Sequence, residues 1–261
     1  MSTSRVLFET DGAVASVTVN RPEARNAMTF DMYDALVAAF ERADADPAIR
    51  VLVLKGAGTQ AFISGTDIAQ FTHFTSREDA LTYERRIDAV IDRLERVSIA
   101  TIAEIRGVAA GGGCMIALAC DLRICSPGAR FGIPVARTLG NCLSGANYAR
   151  LVDLIGPART KDLLFTGRLL DGAEALGAGL ATRVVDESAL DATVRDMAAT
   201  LAVNAPLTLR ATKEAVRRLQ TRRRTDPADT DDLIAMCYTS DDFREAVRAF
   251  FEKRPPVFVG R

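Results

Sequence analysis

The spacing of apolar residues changes period along this chain. Near the start, "RVLFE" and "AVASVTVN" alternate apolar and polar residues, the two-residue period of half-buried strands, and Asp11-Gly12 between them predicts a hairpin turn. From about Phe30 to Ala45 the apolar positions recur every three or four residues, predicting a helix that Thr29 can cap and "DADP" ends. Arg50 to Gly56 is a short apolar run and reads as a buried strand. "AGTQAFISGTDIAQF" is a glycine-bearing loop entering a helical turn. "SREDALTYERRIDAVIDRLERV" is a long amphipathic helix with Ser76 as its cap. Ile99 to Ile105 is a second buried strand. A glycine run, a helix from Gly112 to about Cys120 and the strand "LRICS" follow it.

Strand, loop and helix therefore alternate through Ser126, the pattern of a mainly parallel sheet with helices over it. From Ser144 onward the pattern is nearly all helical, including "ANYARLVDLIG", "ARTKDLLFTG" and "PLTLRATKEAVRRLQ", with one short strand near "ATRVVD". The expected division is an α/β core over residues 1–200 and a C-terminal helical lobe over residues 201–261.

Composition narrows the function classes. A net charge of -1 gives no overall pull toward nucleic acid or an anionic membrane. The local exception, "RRLQTRRR" (Arg217 to Arg224), reads as a solvated helix end. The five cysteines are an odd number without a CxxC pair, so they are expected to be reduced thiols of a cytoplasmic protein. No apolar run approaches the ~18 residues of a membrane span. His73, the single histidine, is expected to be a surface or packing residue. A Ser-His-Asp hydrolase would need it, and no G-x-S-x-G motif accompanies any serine. Zinc has too few candidate ligands, so no metal is expected.

The stretch "AAGGGCMIALACD" (Ala109 to Asp121) carries the first candidate chemistry. A helix N-terminus presents unpaired N–H groups, and glycine lets another group approach them. Strand, glycines, then apolar helix can therefore hold developing negative charge, or can simply be a tightly packed turn. "AFISGTDI" repeats the arrangement, and Asp67 suits its helical start. Two such turns on one parallel sheet share its carboxyl edge, where ligands bind. Two N–H donors meeting there would form an oxyanion hole, each worth ~3–4 kcal/mol of transition-state stabilisation.

Six stretches, in order and spanning almost the whole chain, carry a resemblance: "NRPEARNAMTFDMYDAL", "AFISGTDI", "IRGVAAGGGCMIALACDLRIC", "ARFGIP", "FTGRLLDGAEALGAGLATRVV" and "SDDFREAVRAFFEKRPPVF". Together they resemble the crotonase, or enoyl-CoA hydratase/isomerase, family. The resemblance implies a spiral of ββα units with a C-terminal helical trimerisation lobe, giving a homotrimer or a hexamer made of two trimers. It implies an acyl-CoA thioester substrate, with coenzyme A bound as part of that substrate and no permanent cofactor. It places the thioester oxygen on the backbone N–H groups of Thr66 and Gly112. It places pantetheine and adenine contacts around Arg25, Ala27, Ala61, Ser64, Gly65 and Ile68, and sets Lys253 either on a CoA phosphate or as an ordinary helix-end charge.

The chain departs from the family at the reacting groups. Hydratases of this kind use two glutamates, one two positions after the glycine run and one after "FGxP". Those places hold Met115 and Val135, with Ala136 or Arg137 as the alternative second position. Asp121 lies nine residues beyond Gly112, roughly 13 Å along a helix, too far for direct proton transfer. Glu104 has an even chance of facing the cavity. Asp67, Glu84 and Tyr83 are each expected not to be the missing acid, although the last two can line an acyl pocket. Among Arg137, Thr138, Asn141, Cys142 and Ser144, Arg137 stands out because a guanidinium holds a carboxylate in a fork. Cys142 lacks an evident histidine partner.

Hydration needs a base for water and an acid for the α-carbon, and Met115 and Val135 supply neither. Decarboxylation of a malonyl-type thioester yields the enolate directly. Three readings remain: an enzyme of the hydratase/isomerase family, a malonyl-type decarboxylase, and an acyl-CoA-binding protein that has lost the chemistry.

Overall fold

The computed structural model describes residues 4–224 and 226–261. Strands β1 (Val6–Asp11) and β2 (Val14–Val19) form the predicted antiparallel hairpin, which turns at Gly12 with φ of 54°. Helix α1 (Phe30–Ala45) follows. Thr29 sits at its N-cap position, but the Thr29 side chain makes no cap hydrogen bond; the first N–H, that of Phe30, donates instead to Gln70 Oε1 at 3.2 Å.

Three strand pairs come next: β3 (Val51–Gly56) with β4 (Ala61–Ile63), β5 (Ala100–Ile105) with β6 (Val108–Ala110), and β7 (Leu122–Cys125) with β8 (Arg130–Gly132). The first strand of each pair joins a six-stranded sheet and the second joins a four-stranded sheet. Helix α2 (Arg77–Glu95) follows the first pair and α3 (Gly112–Ala119) the second. Ser76 and Asp79 close a capping box on α2, so here the predicted cap works as read.

After the third pair come the single turn α4 (Val135–Thr138) and α5 (Gly145–Thr166). The two helices expected around Gly156 form one element broken by that residue, at φ 75° and ψ 164°. Strand β9 (Leu170–Asp171) completes the small sheet, in order β4-β6-β8-β9. Helix α6 (Gly172–Ala178) leads to β10 (Arg183–Val184), and the large sheet runs β1-β2-β3-β5-β7-β10, parallel throughout except for the first hairpin. The chain ends with α7 (Leu190–Val203), α8 (Pro206–Thr221), α9 (Asp231–Tyr238) and α10 (Asp241–Phe251).

Both faces of the large sheet are buried. On β3, Leu52 and Leu54 enter the main core, whereas Val51 and Val53 join Ile102, Leu190, Val194 and Ala198 under α7. That two-sided burial explains why β3 reads as an unbroken apolar run. It also decides Glu104: this residue shares the Ile102 face of β5, toward α7, where it pairs with Arg106. Helices α2 and α3 pack together on the other side, and α3 rests on β4 and β6.

Four of the arginines in the run Arg217 to Arg224 pair with carboxylates. Arg217 and Arg218 pair with Glu214, and Arg223 with Asp153. Arg224 is not a solvated helix end: its side chain is 11% exposed and binds Glu95.

Candidate active site

The two glycine-bearing turns lie against each other. Gly65, at φ 113°, follows β4, and a β-carbon on it would stand 3.4 Å from the Ala110 carbonyl oxygen. Gly111, at φ 53° and ψ -127°, occupies backbone space that favours glycine and passes its N–H to Gly132 O at 2.9 Å. Gly113 is needed for a different reason, the close seating of α3 on β4. Tight packing, one of the two readings of the glycine run, thus falls on Gly113.

The free donors follow from the pairing around each turn. Thr66 forms a parallel bridge with Met28, in which Met28 N–H donates to Gly65 O at 2.9 Å and Asp67 N–H to Met28 O at 2.8 Å. The Thr66 N–H therefore points to the opposite side. Gly112 is the first residue of α3, so its N–H has no intrahelical acceptor. Among the described residues neither N–H makes a hydrogen bond. Both residues line one cavity of about 200 Å³, together with Ser64, Gly65, Ile68 and Met115.

Beside the donors lies a cluster of hydroxyls. Thr66 Oγ1 is 2.8 Å from the Tyr33 hydroxyl and 2.7 Å from the Tyr83 hydroxyl. Three hydroxyl protons serve two hydrogen bonds, so the cluster keeps one proton uncommitted. Burial pushes both phenols upward from their ordinary pKa, which keeps them protonated donors.

Met115 is fully buried and Val135 half-buried, and both line the cavity. Arg137 and Ala136 are not brought to this cavity. Residues 135–138 make one helical turn, so Val135, Thr138 and Leu139 face the cavity while Ala136 and Arg137 are exposed outside it. Among the described residues no lysine, arginine or histidine lines this space.

The carboxyl that does line it is Glu84, on α2. Its Oε1 accepts a hydrogen bond from the Tyr238 hydroxyl, which in turn accepts from Asn141 Nδ2 at 2.8 Å. Burial raises the Glu84 pKa to about 8 and the Asp88 charge adds to the rise, against the lowering effect of the Tyr238 hydroxyl and the Ser144 N–H. A signal for it was present in the sequence. On α2 the buried positions are Ala80, Leu81, Tyr83, Glu84, Ile87, Val90, Ile91 and Leu94, and a carboxyl among them loses its hydration unless it finds partners.

The other candidates separate cleanly. Asp121 accepts from the Thr101 N–H and hydroxyl, both at 2.8 Å, and from Lys213 Nζ at 2.9 Å, a structural role outside the cavity. Asp67 caps the turn at Ile68–Phe71 and pairs with Arg21 at 2.6 Å. Asn141 and Cys142 line the cavity, and Cys142 shares a hydrogen bond with Cys237 that pushes its thiol pKa up. Ser144 caps α5 and donates to Asp88 at 2.7 Å. His73 is exposed. Among the expected CoA-contact residues, Ala61 is buried and its carbonyl takes Asn26 Nδ2 at 2.7 Å. Ala27 is half-buried, Arg25 is exposed at φ 52°, and Lys253 is exposed at φ 53° just past α10.

The model of the family described as enoyl-CoA hydratase/isomerase matches residues 9–261. The chain belongs to that family. It is 34% identical over 255 residues to a short-chain-enoyl-CoA hydratase of Clostridium acetobutylicum, covering 97% of each protein. Among solved structures it resembles an enoyl-CoA hydratase/carnithine racemase from Magnetospirillum magneticum, with a TM-score of 0.81 and 33% identity over 100% of this chain and 97% of that one. It also resembles a methylmalonyl-CoA decarboxylase in complex with 2-nitronate-propionyl-CoA, with a TM-score of 0.91 and 25% identity over 100% of both chains. The mixed α/β architecture is thus the crotonase fold, and the chain is an acyl-CoA-processing member of its family. Among the described residues no helix is long and apolar enough to cross a membrane.

Proposed function

We propose that this protein grips the carbonyl oxygen of an acyl-CoA thioester between the N–H groups of Thr66 and Gly112 and works through the thioester enolate, not by ordinary hydration. The observation that carries this reading is the meeting of two uncommitted N–H groups at a cavity whose usual acid positions hold Met115 and Val135. Loss of carbon dioxide from a malonyl-type thioester forms that enolate without a base. A substrate carboxylate in this cavity meets no cation, since Arg137 lies outside. Its charge is better placed once it has moved to the oxygen held by the two donors. The similarity to a methylmalonyl-CoA decarboxylase supports the same choice.

Ser64, Gly65 and Ile68 border the cavity and are suited to the pantetheine arm, with Arg25, Ala27, Ala61 and Lys253 along the CoA path. A cytoplasmic homotrimer or hexamer completes the reading, for which Leu207, Val216, Leu219 and Phe250 offer exposed apolar surface.

The experiment is a comparison of two turnovers. Carbon dioxide release from methylmalonyl- or ethylmalonyl-CoA is expected to exceed the loss of enoyl absorbance from crotonyl-CoA. Gly112→Pro removes one donor at a helix position that tolerates proline, and is expected to lower the rate about 10²–10³-fold while CoA esters still bind. Dominant hydration would overturn the reaction, and an unchanged Gly112→Pro rate would overturn the hole. Binding with no turnover of either ester would mark an acyl-CoA-binding protein.

A further inference from the structure

We infer that Glu84 carries the proton exchanged with the α-carbon of the bound thioester. The inference rests on the oxyanion-hole reading above, and it assigns the proton carrier to α2, away from both positions where this family keeps its acids. Glu84 borders the same cavity as Thr66, Gly112, Met115 and Val135, and among the described residues it is the one carboxyl that does. Tyr83, the next residue on α2, is bound to Thr66 Oγ1, so the turn of helix that presents Glu84 is fastened to the hole itself. Behind Glu84, the Tyr238 hydroxyl and Asn141 form a chain of donors aimed at its carboxyl.

The step balances. The enolate carbon takes the Glu84 carboxyl proton; the O–H bond breaks as the Cα–H bond forms, and the negative charge passes from the enolate to the carboxylate. Tyr238 O–H and Ser144 N–H stabilise that carboxylate until solvent restores the proton. Run backwards, the carboxylate removes an α-proton from a saturated thioester.

Titratable groups around Glu84 come from several elements: Tyr83 and Asp88 on α2, Tyr33 on α1, Tyr238 on α9, and Cys142, itself hydrogen-bonded to Cys237, with Tyr148 around the start of α5. The phenols are held protonated by burial. Of these, the cysteine pair is the one to be controlled, and Cys237→Ser does that.

The test is exchange of the α-protons of butyryl-CoA in deuterium oxide, followed by mass spectrometry. Wild type is expected to exchange them, at a rate that rises with pH through about 8, the value at which Glu84 ionises, in the native and Cys237→Ser proteins alike. Glu84→Gln keeps the shape and still accepts the Tyr238 proton, and is expected to lose about 10²-fold or more of the exchange with butyryl-CoA affinity unchanged. Glu84→Asp, which retains a carboxyl, is expected to recover part of it. Tyr238→Phe removes a donor to the carboxylate and is expected to move the pH midpoint upward. A glutamate that merely tied α9 to α2 would move stability and leave the pH midpoint alone.

Wild-type exchange in Glu84→Gln, with exchange lost in Gly112→Pro, would overturn this proposal and leave the hole standing. Loss in Glu84→Gln with no loss in Gly112→Pro would keep Glu84 and overturn the hole. Binding of butyryl-CoA to wild type without any exchange would overturn Glu84.

Discussion

Gly113 lies so close to Ile63 that a β-carbon on it would stand 2.1 Å from the Ile63 carbonyl oxygen. The contact seats α3 on β4, and it places the Gly112 N–H beside the Thr66 turn. Backbone on both sides leaves little room to yield, so Gly113→Ala is expected to destabilise the fold by about 1–3 kcal/mol or more. Urea unfolding checks it. A β-carbon on Gly112 would meet the Tyr33 hydroxyl at 3.1 Å, and a side chain gives way more easily than a strand carbonyl. Gly112→Ala is therefore expected to cost less stability than Gly113→Ala, and the reverse order would contradict the seating argument.

The hydroxyl cluster makes a prediction with opposite signs. Thr66→Val keeps the backbone N–H but leaves the buried Tyr33 and Tyr83 hydroxyls without the oxygen they share. The expected cost is about 1–3 kcal/mol. Adding Tyr33→Phe and Tyr83→Phe removes the stranded groups, so the triple variant is expected to regain most of that loss. Additive losses across the three substitutions would mean that packing, not hydrogen bonding, holds this corner.

Glu95 accepts from Arg150 at 2.7 Å and from Arg224 at 2.9 Å, and the Arg150 side chain is only 4% exposed. Burial pushes the Glu95 pKa up, but hydrogen bonds and charge from two guanidinium groups prevail and hold it below the ordinary 4.5. A depressed folded-state value means that the stabilisation is complete above the unfolded pKa and is lost as pH falls through the folded one. Glu95→Gln is expected to lose about 3–5 kcal/mol near neutrality, because it strands two buried cations. The gap in urea midpoint between wild type and variant is expected to close as the pH falls below the ordinary carboxylate value of 4.5 and through the lower folded one. A gap that stays constant with pH would show that charge is not what Glu95 contributes.

What could be read from the sequence was whatever burial imposes on both faces of an element or whatever a turn demands of its backbone. The strand at Val51–Gly56 showed as an apolar run because Leu52 and Val53 are buried in different cores. The α2 cap showed because Ser76 and Asp79 stand at capping-box spacing. Facing was harder. One turn of helix at residues 135–138 turns Val135 inward and Arg137 outward, and a four-residue segment carries too little periodicity to reveal which. Glu84 could be read as lining an acyl pocket, but α2 is so charged overall that its full burial shows only when its neighbours at three and four residues are counted.

Met115 and Val135 both border the cavity, so an acidic side chain at either position is directed to the space proposed for the thioester. Met115→Glu with Val135→Glu is therefore expected to create crotonyl-CoA hydration, one glutamate taking a proton from water as the carboxylate and the other, as the carboxylic acid, giving its proton to the α-carbon. Each single variant supplies half of that pair and is expected to gain far less than the double, a non-additivity that defines a unit acting together. The double substitution also places new charge beside Glu84, which burial already keeps protonated. The variant is expected to unfold at lower urea than wild type, since three carboxyls then share one small cavity. Loss of enoyl absorbance, followed in the singles and the double, is the measurement. If the double gains no hydration while Gly112→Pro still abolishes the native activity, the two positions do not reach the α- and β-carbons, and the acyl group lies toward Glu84 and Asn141 instead.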